Sequence, residues 1–455
     1  MKDLKKLKKE SREASINEGN FAAAQFAFGS YYVAPFAIAI NASNSIVAML
    51  SAISGLLGPL SQMFSYKLIE KYPRKKIVSK AVLGEAILWL PLIVIAILFY
   101  KGILTNLLPL MALLFFAISV LSINVAMPAW FSWMGDVVEE KHRGRYFSRR
   151  NLITGFVSVI TAIAASFLLE YLKTKGIVMI GFIILFTLAF LSRLISWRLF
   201  KKQYEPKIKI RKKDHFSFGD FLLSCPKTNF GKFAIYRALM GFAGTISASL
   251  VAVYLLRYIG FNYPLYMTIT LAGTFISLFT LELWGKFSDK YGNYRTLAIT
   301  SMMIPLIPVL WILFKSSIYL IIFPATFGGI FWAGFNLAAN NFVYDNVRPE
   351  KRATAISYQN MLIGIGIFLG GGLGAILIKY LKTSFIEPIA TIFILGAITR
   401  IIVVLWWVPK LKEAQNTAKY KGTKSIKKMF LKEAKPTFQH EIREIMTIGK
   451  YLHLK

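Results

Sequence analysis

Apolar residues run in twelve long uninterrupted stretches, at about 18–40, 45–67, 77–100, 104–134, 151–171, 177–200, 229–256, 264–284, 296–314, 317–344, 354–378 and 388–408. About 20 residues of helix are needed to cross a bilayer. Barrel strands would alternate apolar and polar positions over about 10 residues, and open sheet edges cannot face lipid. The pattern therefore predicts an all-α integral membrane protein with twelve transmembrane helices. Residues 2–12 are basic and lead into a full-length span without a small-residue cleavage site, so no cleavable signal is expected.

Composition agrees with this reading: 56% of the 455 residues are hydrophobic and 17% are charged. A soluble domain carries about 25% charged residues. With one cysteine and four histidines, all of the latter outside the spans, a disulfide scaffold, a Cys/His metal centre and an intramembrane histidine relay are excluded. No cofactor is expected. The formal charge of +33 would point to nucleic acid in a soluble chain. Here 45 of the 55 Lys and Arg fall in the N-tail, the C-tail and alternate loops, 7 fall in the opposite loops, and Arg193, Arg237 and Arg400 lie within spans. That bias orients the chain with both termini cytoplasmic, in the cell membrane, its basic loops facing anionic lipid headgroups and no nucleic acid.

A basic segment, 201–228, divides the spans into two halves of six and carries an aromatic stretch, His215-Phe216-Ser217-Phe218, suited to the membrane surface. The expected organisation is an N-tail at 1–17, six-helix bundles at 18–200 and 229–408, and a basic C-tail at 409–455. The halves repeat one another. Glu70-Lys71 after span two matches Asp289-Lys290 after span eight at an offset of 219 residues. Asp136 and Arg143 after span four match Asp345 and Arg352 after span ten at an offset of 209. Such repeats build two pseudo-symmetric bundles around a central cavity.

These loops resemble those of the major facilitator superfamily. The clearer copy is Gly285, Asp289, Lys290, Gly292 and Arg295; in the first half Tyr66, Glu70 and Pro73 replace the leading glycine, the aspartate and the second glycine. Arg143-Gly144-Arg145 looks like the family's loop after span four. The resemblance implies alternating access and places the loop after span eight near the start of span five, and the loop after span two near the start of span eleven. Asp289 is then expected to cap helix N–H groups near Asn151 and Glu70 those near Asn360, with Arg143 and Arg352 in the same charge networks, as a gate. Gly292 suits a turn that needs positive φ.

Ionisable groups inside a membrane mark functional candidates. Glu85 lies about 12 Å into span three, with no cation nearby in sequence, as a candidate proton carrier. Glu18 in span one falls opposite Arg237 in span seven under the 219 offset, as a candidate charge pair. The resemblance implies that spans one, four, seven and ten line the cavity, which nominates Tyr31, Asn124, Trp130, Trp332, Asn336 and Asn340. Amides with aromatic faces suit a polar uncharged or amphipathic solute. The glycines of span eleven, from Gly364 to Gly374, lack the context of a nucleotide loop and read as a helix-packing surface. Span four carries no arginine within the membrane and span five lacks the Gly-Pro pattern of drug–proton antiporters. The function expected is secondary transport of a small organic solute, with proton coupling and facilitated diffusion both open. Export of amphipathic compounds and a non-transporting receptor or scaffold are the alternatives, and nothing supports an enzyme.

Overall fold

The computed structural model describes residues 2–139, 143–206, 217–382 and 387–414. Among them all regular structure is helical. Twelve helices are long and apolar enough to span a membrane: Lys6–Ala39, Asn44–Lys71, Arg74–Tyr100, Leu108–Val137, Tyr146–Thr174, Val178–Lys202, Asn229–Tyr258, Tyr263–Tyr291, Asn293–Leu313, Ser317–Asn346, Thr354–Tyr380 and Pro388–Lys410. A helix satisfies its backbone groups internally where lipid supplies no partner. Large apolar side chains left exposed, such as Ile160, Phe167 and Leu405, suit contact with lipid tails.

Residues expected as an N-tail are helical and continuous with span one, because this helix begins at Lys2. Three polar contacts hold the extension: Lys8 Nζ donates to the Asp136 carbonyl at 3.0 Å, Tyr146 Oη to that of Arg12 at 3.1 Å, and Tyr204 N to Ser11 Oγ at 2.7 Å. Several spans are broken. Span one is interrupted at Gly29, where the Trp89 ring fills the space a Cβ would take. Spans seven and ten contain π turns at Tyr254–Tyr258 and Ile321–Ala325, the latter holding Pro324. Proline and wide turns are the usual causes of such breaks.

The chain forms two compact units, one of Met1–Lys213, Gly244–Met267 and Gln359–Ile392, the other of Asp214–Ala243, Thr268–Tyr358 and Phe393–Lys455. The division therefore does not fall simply at the basic linker. In the first unit, span eleven approaches spans two and seven through glycines. A Cβ on Gly364 would meet the Gly55 carbonyl oxygen at 2.6 Å, and one on Gly374 would lie closer still to the Ile246 oxygen. At the end away from the basic loops, the Arg257 guanidinium donates to Asn44 Oδ1 and, at 2.8 Å, to the carbonyl of Ala42 just beyond span one. Glu170 at the end of span five accepts the Tyr263 N–H that opens span eight, at 3.0 Å. Each contact sets the matching charge against a helix end.

In the second unit, Gly329 of span ten meets Gly273 of span eight backbone to backbone, and the Trp284 ring lies against Gly334. Gly292 takes φ of +97°, the left-handed conformation its sequence context predicts. The short helix Phe218–Ser224 begins with a reciprocal Ser217–Asp220 capping box, whose hydrogen bonds hold the exposed Asp220 carboxyl below the usual range. It buries Phe221 beside Tyr358 and Phe230 and leaves Leu222 and Leu223 exposed. His215 and Phe216 lie outside the described residues.

Gly374→Ala should cost about 1–3 kcal/mol by overpacking, read as a lower melting temperature of the purified protein. Gly372→Ala, with nothing within 4 Å of the added methyl, should be silent. Equal melting temperatures for both variants would contradict the glycine-packed interface.

Candidate functional site

The loop motifs form a related cluster in each unit at the end bearing the basic loops. In the first, Glu205, just after span six, accepts the backbone N–H groups of Arg74 at 2.8 Å and Lys75 at 3.3 Å, capping span three. The Arg74 side chain is 1% exposed and reaches Asp136 at 2.7 Å, Glu205 at 3.5 Å and Ser132 Oγ at 3.0 Å. In the second unit, Glu413, just after span twelve, accepts the Tyr294 N–H at 3.0 Å. Asn293 donates to Asp345 at 2.6 Å and its amide oxygen accepts from Ser288. Lys75 and Tyr294 are 219 residues apart, Asp136 and Asp345 209 apart. The repeat thus recurs as geometry: a carboxylate on the first turn of span three or nine, and an aspartate from span four or ten beside it.

Several expected roles move to other residues. Glu70 and Lys71 are exposed, as are Asp289 and Lys290. Among the described residues the Glu70 side chain makes no hydrogen bond or ion pair, so the cap expected near Asn360 is not made; in this cluster the carboxylate of Glu205 caps span three instead. Arg352 donates to the carbonyls of Tyr344 and Val347, both at 3.2 Å, and lies over the Tyr344 ring, closing the end of span ten. Arg295 donates to the Tyr291 carbonyl at 3.2 Å. The side chain of Arg143 lies outside the described residues.

A second cluster is buried among the first six spans. Arg193 of span six donates from Nε to Glu85 Oε2 of span three at 2.5 Å, and from Nη1 to Ser196 Oγ at 3.3 Å. Ser196 donates to Glu18 Oε1 at 3.1 Å, and Arg150 of span five donates to Glu18 Oε2 at 3.2 Å. Arg150 also donates to the Ser15 carbonyl at 3.2 Å and lies 4.6 Å over the Trp130 ring. Two expectations are corrected here. Glu85, expected without a cation beside it, is salt-bridged to Arg193, and Glu18 is held by Arg150. The first pair lies at a shared depth that the sequence gives: Glu85 is eleven residues past the start of span three and Arg193 nine before the end of span six. At 1.5 Å per residue that is about 16 and about 14 Å from the same face.

The nominated cavity residues divide. Trp130 belongs to the core around Trp133, Met134 and Phe200, 9% exposed under Arg150, so it is a packing residue. Tyr31 is half-buried with its ring edge-on to Phe26 at 4.8 Å. Asn124 accepts from Gln62 at 3.2 Å and donates to the Val120 carbonyl at 2.9 Å, beside Gly58. In the second unit, Asn336 and Asn340 are both exposed, one helical turn apart on span ten. Arg237 donates to Asn336 Oδ1 at 3.4 Å and stacks 4.9 Å from the buried Phe335, whose ring meets Trp332.

The sequence profile of the Major Facilitator Superfamily matches residues 19–281 and again 233–443. The chain belongs to the major facilitator superfamily. This marks it as a multi-pass membrane transporter and not an enzyme. No curated protein matches by sequence. Among solved structures of superfamily transporters, a mutant form of the nucleoside transporter NupG is similar at a TM-score of 0.68 and 16% identity, covering 88% of this chain and 100% of that one. The D-xylose–proton symporter is similar at 0.65 and 11%, covering 90% and 99%. A bacterial homologue of the iron transporter ferroportin follows at 0.62 and 14%, covering 89% and 98%. At such identities the likeness shows the superfamily fold and leaves the solute undefined.

Removing one partner of a buried ion pair strands the other, at about 3–5 kcal/mol. Glu85→Gln should therefore lower thermal stability substantially. Glu85→Leu with Arg193→Met should recover most of the loss, since paired apolar replacement removes both charges. A double variant no more stable than Glu85→Gln would contradict the pairing.

Proposed function

We propose that the chain is a secondary transporter that carries a small organic solute across the cell membrane by alternating access, with residues 18–200 and 229–408 as the two moving bundles. The observation that carries this reading is the polar face of span ten. Asn336 and Asn340 are exposed within a membrane-spanning helix, where an amide facing hydrocarbon would leave several donors and acceptors unmet. Such a face belongs on a water-filled path. Trp332 and Arg237 add an aromatic ring and a hydrogen-bond donor on the same side of the unit, the mixture small-molecule sites use.

On this reading the basic loops and both termini face the cytoplasm, by the distribution of Lys and Arg, and lie against anionic headgroups. The loop residues Asp289, Lys290, Glu70 and Lys71, exposed in this conformation, are free to form the gating contacts of another. The carboxylates Glu18 and Glu85 are each held by an arginine, which supports a structural role for them and favours a solute gradient over a proton gradient as the driving force.

Reconstituted in liposomes, the protein should take up a solute saturably, and Asn336→Ala or Asn340→Ala should raise KM at least about ten-fold, the equivalent of one lost hydrogen bond to a polar solute. An imposed pH gradient should leave the rate unchanged. Saturable uptake that neither amide variant alters would contradict the site, and absence of uptake across sugars, nucleosides, amino acids, organic acids and amphipathic drugs would contradict the function.

A further inference from the structure

Arg237, in span seven, stands apart from the two guanidiniums buried among the first six spans. Arg193 is neutralised by Glu85 and Arg150 by Glu18. Arg237 makes no ion pair among the described residues. Its contacts are one long hydrogen bond, 3.4 Å, to the Asn336 amide oxygen and the face of Phe335 at 4.9 Å. It lies eight residues past the start of span seven, about 12 Å in from the basic end. A guanidinium has five N–H donors and keeps its charge at any physiological pH. An ionisable side chain at this depth is costly unless it meets water or a counter-charge.

Among the described residues no carboxylate pairs with it, while its polar neighbours on span ten are exposed. Arg237 is itself half-buried, Asn336 and Asn340 beside it are exposed, and the ring of Trp332 lies one turn along span ten. The neighbouring Tyr236 hydroxyl is committed to Ser301 Oγ at 2.5 Å and adds no charge. With Nη1 on Asn336, the Arg237 fork has further N–H donors to offer beside the amides of span ten. A planar fork of this kind fits the two oxygens of a carboxylate or a phosphate, and does so better than a neutral hydroxyl.

We propose that Arg237, seated on Asn336, is the recognition element for an oxyanion carried by the transported solute, so that the substrate is a small organic anion. This rests on the transporter reading above, and it replaces the uncharged solute that the amides of span ten suggest by themselves. Asn336 orients the guanidinium, the exposed N–H groups take the carboxylate or phosphate, and Trp332 and Asn340 meet the remainder of the molecule.

The test uses full-length protein with the single native cysteine removed (Cys225→Ser) and a reporter thiol introduced by Asn340→Cys. The rate of modification by an anionic sulfonatoethyl methanethiosulfonate is compared with that by its cationic trimethylammonioethyl counterpart. An unneutralised positive charge about one turn away should favour the anionic reagent, and Arg237→Gln should lower the anionic-to-cationic ratio by about five-fold or more. Arg237→Lys, which retains the charge, should preserve the ratio. Benzoate or glycerol phosphate, titrated high enough to offset the roughly ten-fold weaker binding expected of any Asn340 variant, should slow modification, each naming its own oxyanion class, while benzamide and glycerol at the same concentrations should not; Arg237→Gln should abolish the protection.

A ratio indifferent to Arg237→Gln overturns the inference, as does protection by sulfate or chloride with none by either organic anion. Liposome uptake separates the two readings. A neutral solute carried equally well by wild type and Arg237→Gln would refute the anion site and leave transport standing. Oxyanion protection without uptake of any panel solute would do the reverse.

Discussion

A charge inside a bilayer must be answered by another charge, by water or by a ligand, because hydrocarbon answers nothing. The first six spans meet this constraint internally. Glu18 and Glu85 share Arg150, Arg193 and Ser196 in one chain of contacts that ties spans one, three, five and six together. Each charge there has an opposite within reach, so the bundle closes upon itself and requires no solvent. The second unit meets the constraint differently. Its Tyr236 and Ser301 pair as neutral hydroxyls, and Arg237 is given an amide and an aromatic face. What remains of its charge must be met by water and, on the account above, by the solute.

The same division appears in the loops. Both halves place a carboxylate from beyond their last span on the first turn of their third, Glu205 on Arg74 and Lys75, Glu413 on Tyr294. Beside it the first half pairs the buried Arg74 with the exposed carboxylate of Asp136, whereas the second uses an amide, Asn293, on Asp345. The geometry of the repeat is kept while its chemistry is not. Burying an arginine costs desolvation, so the ionic version is sustained where further acceptors converge, as Ser132 and the Pro206 carbonyl do on Arg74.

The twelve spans were legible because an apolar run of bilayer length has one structural answer, and the glycine surface of span eleven and the positive φ at Gly292 were legible because only glycine permits them. Partners were harder. Sequence gives the depth of Glu85 and Arg193 but not the rotation of their helices, which decides whether two groups at one depth meet. Glu70 was assigned a cap on span eleven, whereas the carboxylate that caps span three is Glu205, which lies in a stretch whose composition reads only as linker. Trp130 has a cavity position by its place in span four, yet Arg150 covers it. The N-terminal segment resembles a solvated tail because it is basic; Ser11 and the carbonyl contacts of Lys8 show that it packs as a helix.

On this reading the Asn336–Asn340 face of span ten meets water at membrane depth. Spin labels placed singly at these positions, in the reconstituted protein, would report collisions with a water-soluble nickel chelate and with oxygen, which partitions into lipid. The account predicts that the chelate dominates at both positions, and that oxygen dominates at Leu405, an exposed apolar position of span twelve. Oxygen dominating at 336 and 340 as it does at 405 would contradict it.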